Sequence, residues 1–216
     1  MSHLIKKIVL ASQSKFRKTL LSQTNIAFTT HAALINEHEI LAATPKETAE
    51  QRAISKADSV ASCLNDSCLV IGCDQTLELE NKMLNKPKSQ EKAYLQLKKL
   101  SGKQHTLHSA VSLVCSKADS NKVLKVFTVS TPMYMRQLSL SEINQYIESN
   151  EWQGCVGAYR IEGRGVNLFN EKTALSLDTS AVMGLPLLSL LESLRILGIN
   201  PLTNQQGPWP TKGLGL

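Results

Sequence analysis

The sequence predicts an α/β protein built on one bent, mixed β-sheet flanked by helices. Three observations carry that prediction. Leu69-Val70-Ile71-Gly72-Cys73 is apolar without alternation, the pattern of a strand buried on both faces. Thr106 to Cys115 and Val123 to Met135 are long strand candidates separated by the polar turn 117–122, which predicts a large antiparallel hairpin. Helices with explicit start signals alternate with these segments, so parallel-type and hairpin strands share one unit.

Ile5 to Ala11 is β-branched and apolar and reads as the first strand. Ser14 then caps a helix over Lys15 to Gln23, and Ile26 to Thr30 is a short second strand. Thr44-Pro45-Lys46-Glu47 combines a capping threonine, proline at the first helical position and glutamate three residues after the cap. Ala49, Ala53, Ala57, Val60 and Leu64 follow at helical spacing. After the apolar strand 69–73, Thr76 to Leu79 and Met83-Leu84 form a hairpin turning at Glu80-Asn81-Lys82. Ser89 to Leu100 is a helix closed by Ser101-Gly102, and Ser139-Leu140-Ser141-Glu142 is a second capping box opening a helix to Ser149. Two short strands are expected after the glycine-bearing stretch 154–165, then a helix from Pro186 to Leu197. The polar, Gly/Pro-rich tail 201–216 is expected to be mobile.

A chain of 216 residues suits one large domain or two intimately packed lobes. Its 42% hydrophobic and 19% charged content excludes collagen-like, low-complexity and wholly disordered classes. The longest apolar stretch, Val182 to Leu191, is broken by Gly184, Pro186 and Ser189 and falls short of the roughly 20 residues of a membrane span. Only Ile8-Val9-Leu10-Ala11 follows Lys6-Lys7, so no signal-peptide apolar region is seen and a cytoplasmic location is expected. The net charge of +6, with Lys6, Lys7, Lys15, Arg17 and Lys18 near the start, leans toward an anionic partner. Aromatic content of 5% without basic–aromatic alternation disfavours a nucleic-acid stacking platform. The five cysteines contain no Cys-x-x-Cys; Cys63, Cys68 and Cys73 repeat every five residues, which suits neither zinc nor a disulfide framework. They read as reduced, mostly buried side chains.

Several segments could carry chemistry. In Ala11-Ser12-Gln13-Ser14-Lys15-Phe16-Arg17-Lys18 a strand enters a helix through two serines, with bases in the first turn. Free N–H groups, serine hydroxyls and Arg17 would bind an anion, although an ordinary capped surface helix has the same pattern. Asp74 follows an apolar strand, where open α/β sheets place ligand crevices, and would be a metal ligand, a base or a turn cap. Asn36-Glu37-His38-Glu39 offers loop carboxylates. Lys56 flanks the apolar stripe of its helix and Lys86 precedes Pro87; either would be solvated unless a ligand claims it. His105 and His108 have no third ligand nearby and define no metal site.

The order of these segments closely resembles one family. Ala11-Ser12-x-Ser14, Asn36-Glu37, Lys56-Ala57, Ile71-Gly72-Cys73-Asp74, Lys86-Pro87, Leu100-Ser101-Gly102, Gly157-Ala158-Tyr159, Glu162-Gly163 and Gly184-Leu185-Pro186-Leu187 resemble the Maf family of house-cleaning nucleoside triphosphate pyrophosphatases, also called septum formation inhibitor-like proteins. The resemblance covers about residues 5 to 200. It implies a single Maf/ITPase-like α/β unit over residues 1–200, with two lobes around a deep cleft. It also implies hydrolysis of a nucleotide to its monophosphate and pyrophosphate with a divalent cation, Mg²⁺ or Mn²⁺, and suggests a homodimer. Asp74 matches the family's catalytic aspartate and proton acceptor. Glu37 matches the other acidic residue, so Glu37 and Asp74 would hold the metal. Ser12, Ser14 and Arg17 match the phosphate-binding turn, and Lys56 and Lys86 the two lysines, which would bind phosphate.

Three positions depart from the family pattern: Lys15 replaces a proline, Asn36 an aspartate and Asn85 a glycine. None removes the core acid, so activity is expected. Phe16, Gln75 and Glu162 stand where the branch acting on dTTP and UTP carries Arg, Thr and Gln, and resemble the branch acting on 7-methyl-GTP. An aromatic face suits a cationic base, and a glutamate can accept its N–H edge while offsetting its charge. Alternatives are a broader or dTTP/UTP-directed pyrophosphatase, and a non-catalytic regulatory or nucleic-acid-binding protein.

Overall fold

The computed structural model describes residues 7–64, 66–116, 121–203 and 205–206. Strands β1 (Lys7–Ala11), β2 (Thr29–Thr30), β3 (Cys68–Leu79), β4 (Lys82–Leu84), β5 (Gln104–Cys115) and β6 (Lys122–Tyr134) form one sheet in the order β2-β1-β3-β5-β6, with β4 also on β3. β1 runs parallel to β2 and β3, whereas β3–β4, β3–β5 and β5–β6 are antiparallel. The expected mixed sheet is therefore present, and its large hairpin is β5–β6.

The helices are α1 (Lys15–Ser22), α2 (Pro45–Ala61), α3 (Gln90–Leu100), α4 (Leu140–Glu148), α5 (Thr179–Val182) and α6 (Leu187–Ile196). Their starts follow the sequence signals. Ser14 Oγ accepts the Arg17 N–H, and both Thr44/Glu47 and Ser139/Glu142 close reciprocal capping boxes.

Alternation along the strands divides the core. Ile8, Leu10, Leu69, Ile71 and Cys73 pack with Leu20 and Leu21 of α1 and Leu190 and Leu194 of α6. Val9, Ala11, Cys68 and Val70, on the opposite face, pack under Ala57, Val60 and Ala61 of α2. This covering on both sides is why the first half of β3 is continuously apolar. Further along, β3, β5 and β6 outrun β1 and build a second lobe. There Leu77, Leu79, Leu107 and Met133 meet Leu97 and Leu100 of α3 and Ile143 and Ile147 of α4. The long strands thus span both lobes and hold them around a cleft.

Three expectations change. The segment 69–79 is one unbroken strand, so Asp74 lies within β3 rather than after it. β1 ends opposite Gly72, however, so Asp74 still stands just beyond the end of a parallel neighbour, while antiparallel pairing with Ala110 of β5 carries the strand onward. The second strand shrinks to Thr29–Thr30. Between residue 165 and α6 the two expected strands do not form. The chain makes 3-10 turns at Arg164–Leu168 and Glu171–Ser176, with a single bridge from Met135 to Phe169. The cysteines are free and mostly buried, as expected: Cys68, Cys73 and Cys115 are buried, Cys155 half-buried and Cys63 exposed. The hairpin turn at Glu80-Asn81 is as expected, both residues taking positive φ (52° and 61°). The expectation of a mobile tail falls largely outside the described residues; within them, Ile199–Asn200 pairs with Gln205–Gln206.

Candidate active site

A cleft of about 1460 Å³ opens between the lobes, and every residue singled out from the sequence as a site candidate lines it. Asp74 forms its floor, 4% exposed. Lys56 Nζ lies 2.6 Å from Asp74 Oδ1 and 2.9 Å from Glu37 Oε1, bridging the two carboxylates. Burial raises the Glu37 carboxyl's affinity for a proton, but the Lys56 charge and hydrogen bond, aided by Lys86 and Arg17, bring its pKa below the usual carboxylate value. Glu37 is therefore ionised at neutral pH. Lys86 also lines the cleft, close enough for its charge to act on Glu37.

The placement of Lys56 depends on Gly72. A side chain at Gly72 would collide with the Ala53 carbonyl and stand 2.8 Å from Ala57 Cβ. Glycine lets α2 lie directly on β3, so Lys56, one residue before Ala57, reaches Asp74, two residues beyond Gly72. Arg52, one helical turn earlier, follows the same course and brings Nη1 to 3.9 Å from Asp74 Oδ2. Arg52 was not singled out from the sequence, although its i, i+4 relation to Lys56 puts both on one face.

Asp74 Oδ2 is buried and has no hydrogen-bond partner among the described residues. A buried carboxylate oxygen left in that condition is costly unless another donor or a cation is supplied. Among the described residues no group of three or more His, Cys, Asp or Glu side chains is arranged as a metal cage. The carboxylate set is limited to Glu37 and Asp74, a composition suited to a hard cation that keeps several waters.

The turn from β1 into α1 also lines the cleft. Ser12 Oγ accepts from the Ser14 N–H at 3.2 Å and from Arg17 Nη1 at 3.4 Å. Both serine hydroxyls are thus acceptors locally, leaving their protons to donate to an anion. Arg17 is more heavily engaged than its surface position in the sequence suggests: Nε donates to the Gly184 carbonyl at 2.8 Å and Nη1 to the Cys73 carbonyl at 2.9 Å. It ties the turn to β3 and to the end of α5. Gly184 takes φ +95°, and an added Cβ would stand 3.3 Å from Arg17 Nε, so both conformation and close approach call for glycine.

Gln75 is also held, its Nε2 donating to Ser109 Oγ, Ala181 O and Val182 O at 2.8–3.0 Å. Phe16 is half-buried at the cleft mouth and belongs to no core cluster, so it is not a packing residue of α1. The Arg160 guanidinium lies over its ring at 4.7 Å from the centroid, and Arg160 Nε stands 3.6 Å from Glu162 Oε1. The departures are benign in geometry. Lys15 simply begins α1, Asn36 caps the turn at Glu37–Glu39 and donates to Glu39 Oε1, and Asn85 has no positive φ that would require glycine.

A family model described as Maf-like protein matches residues 7–197. The chain belongs to the Maf family. Its similarity to curated Maf relatives extends over most of both chains. It is 41% identical over 197 residues to the 7-methyl-GTP pyrophosphatase of Brucella abortus, covering 88% of this chain and 95% of that protein. It is 39% identical over 194 residues to the nucleoside triphosphate pyrophosphatase of Rhodopseudomonas palustris, covering 87% and 92%. Among solved structures, the Ham1 protein of Staphylococcus aureus overlaps 60% of this chain and 72% of that chain at a TM-score of 0.42 and 21% identity. The Maf landmarks read from the sequence all fall within the matched segment. Among the described residues no helix is long and apolar enough to cross a membrane.

Proposed function

We propose that this Maf protein hydrolyses a nucleoside triphosphate to the monophosphate and pyrophosphate, with 7-methyl-GTP as its substrate. The observation that carries the reaction is Asp74: a buried carboxylate at the cleft floor, hydrogen-bonded through one oxygen and without a hydrogen bond at the other, which has only the Arg52 charge at 3.9 Å. In this reading Asp74 takes a proton from a water. That water's oxygen forms a bond to the α-phosphorus while the bond from this phosphorus to the oxygen bridging to the β-phosphorus breaks. The electron pair leaves with pyrophosphate. Ser12, Ser14 and the N-terminus of α1 receive phosphate oxygens, and Lys56 and Lys86 offset their charge. Arg17 fixes the turn that presents them.

A divalent cation fits this donor set, since Asp74 Oδ2 lacks a hydrogen-bond partner and Glu37 is kept ionised beside it. Glu37 and Asp74 would hold Mg²⁺ or Mn²⁺, which when bound would supply charge neutralisation of the reacting phosphate. The choice of base rests on Phe16, Gln75 and Glu162, and on relatives named 7-methyl-GTP pyrophosphatase. A cytoplasmic location and a homodimer belong to the same proposal.

The test is pyrophosphate release from 7-methyl-GTP, GTP, dTTP and UTP with and without Mg²⁺ or Mn²⁺. Metal-dependent turnover with 7-methyl-GTP preferred is expected. A preference for dTTP or UTP would overturn the substrate, and no turnover of any nucleotide would overturn the enzyme.

A further inference from the structure

Arg160 and Phe16 are far apart in the chain, yet the guanidinium covers the aromatic face at 4.7 Å, well inside the roughly 6 Å range of a cation–π contact. Its Nε is 3.6 Å from Glu162 Oε1, near enough for attraction but too far for a hydrogen bond. That Nε is buried and has no hydrogen-bond partner among the described residues. The guanidinium is thus held over the ring by stacking, by charge and by a side-chain contact with Cys155, with nothing locking its Nε. A flat cation with N–H groups toward a glutamate is also what a positively charged purine would present to the same two side chains.

We infer that Arg160 occupies the base subsite in the nucleotide-free protein and must leave Phe16 for a base to stack there. The inference rests on the reading of Phe16 and Glu162 as the base platform. It adds a residue that sets nucleotide affinity by competing from within the chain. The competition has a definite signature. The cost of moving Arg160 is the same whichever base enters, so it raises every KM alike and leaves the ratio between substrates untouched. Discrimination between charged and neutral bases stays with Phe16 and Glu162, which touch the base.

The experiment compares wild type, Arg160→Ala, Phe16→Ala and the double variant, with 7-methyl-GTP and GTP. Steady-state kinetics and calorimetric binding of the two nucleoside monophosphates are both measured. Losing a contact of this kind should lower KM for both triphosphates roughly 2- to 30-fold, with kcat and the selectivity ratio unchanged. Monophosphate binding should tighten by a similar factor. In the Phe16→Ala background the effect of Arg160→Ala should shrink toward nothing, the coupling expected of two groups in contact. Arg160→Lys should keep part of the competition. Weaker or unchanged binding in Arg160→Ala, with the thermal midpoint held, would overturn the inference. If wild type prefers dTTP, the substrate reading fails while Arg160 is scored with dTTP by the same criteria. If wild type binds no nucleotide, both fall.

Discussion

Lys56 and Asp74, from a helix and a strand on one side of the cleft, stand 2.6 Å apart and are both more than nine-tenths buried. The ammonium does not belong to Asp74 alone, because Glu37 closes on it at 2.9 Å. One cation therefore sets the spacing and charge of both candidate metal-binding carboxylates. In the free protein the charge of Lys56 is shared between these two carboxylates.

Asp74→Asn should lower kcat by about 10²- to 10⁴-fold, the usual worth of a general base. The amide keeps the shape of the carboxylate but takes up a proton poorly. Lys56 retains Glu37 as a partner, so the fold should survive. Far-UV circular dichroism should match wild type while pyrophosphate release collapses, and near-normal kcat would remove Asp74 from the catalytic role.

Lys56→Met should destabilise the protein as well as inactivate it. Taking one member from a buried ion pair costs about 3–5 kcal/mol, because the remaining charge is left uncompensated; Arg52 at 3.9 Å offsets only part of this. The pH dependence gives a second readout. In wild type the folded pKa of Glu37 is depressed, so its contribution is present above the unfolded value and is lost on acidification through the folded one. In Lys56→Met that acid-side loss should diminish. Urea unfolding at pH 7 and at pH 4 measures both effects.

Gly72→Ala tests the contact that delivers Lys56. A methyl group there meets the Ala53 carbonyl and Ala57, backbone and helix stem that cannot rotate away. Overpacking of this kind costs about 1–3 kcal/mol. Since α2 has to move off β3, kcat should fall too, although no catalytic atom is altered. A variant as active as wild type would show that the spacing of Lys56 and Asp74 is not critical.

His105 should make the second lobe acid-sensitive. Burial lowers its pKa to about 4, and its Nε2 lies 2.8 Å from the Tyr159 hydroxyl. A histidine whose folded pKa lies below its unfolded value binds fewer protons when folded. Stability is therefore complete above about pH 6.5 and declines as the pH falls toward 4, by on the order of 3 kcal/mol. His105→Gln, which can still reach Tyr159, should unfold with a shallower slope over that window. Parallel slopes in wild type and variant would exclude His105 as the cause.

Much of this molecule was legible in the sequence because much of it is local. Capping boxes at Thr44 and Ser139, the Ser14 cap and the Glu80-Asn81 turn are contacts between residues three or fewer apart, so the helix and hairpin boundaries follow from the residues themselves. The apolar run 69–73 likewise determined a strand covered on both faces. The site residues were found by their order along the chain rather than by their chemistry, since a lone lysine or loop glutamate has no local mark of function.

The tertiary structure alone decided how those residues are used. Whether β3 stops or continues at Asp74 depends on β5, a partner more than thirty positions away (Asp74 pairs with Ala110), and no local signal shows it. The recruitment of Arg52, the bridging of Glu37 and Asp74 by one ammonium, and the commitment of Arg17 to two backbone carbonyls depend on how closely α2 and α1 lie against the sheet. Arg160 over Phe16 is the extreme case. Its attraction to the ring is short-ranged, and although Glu162 is a near neighbour in the chain, only the tertiary fold brings Phe16 of α1 within its reach.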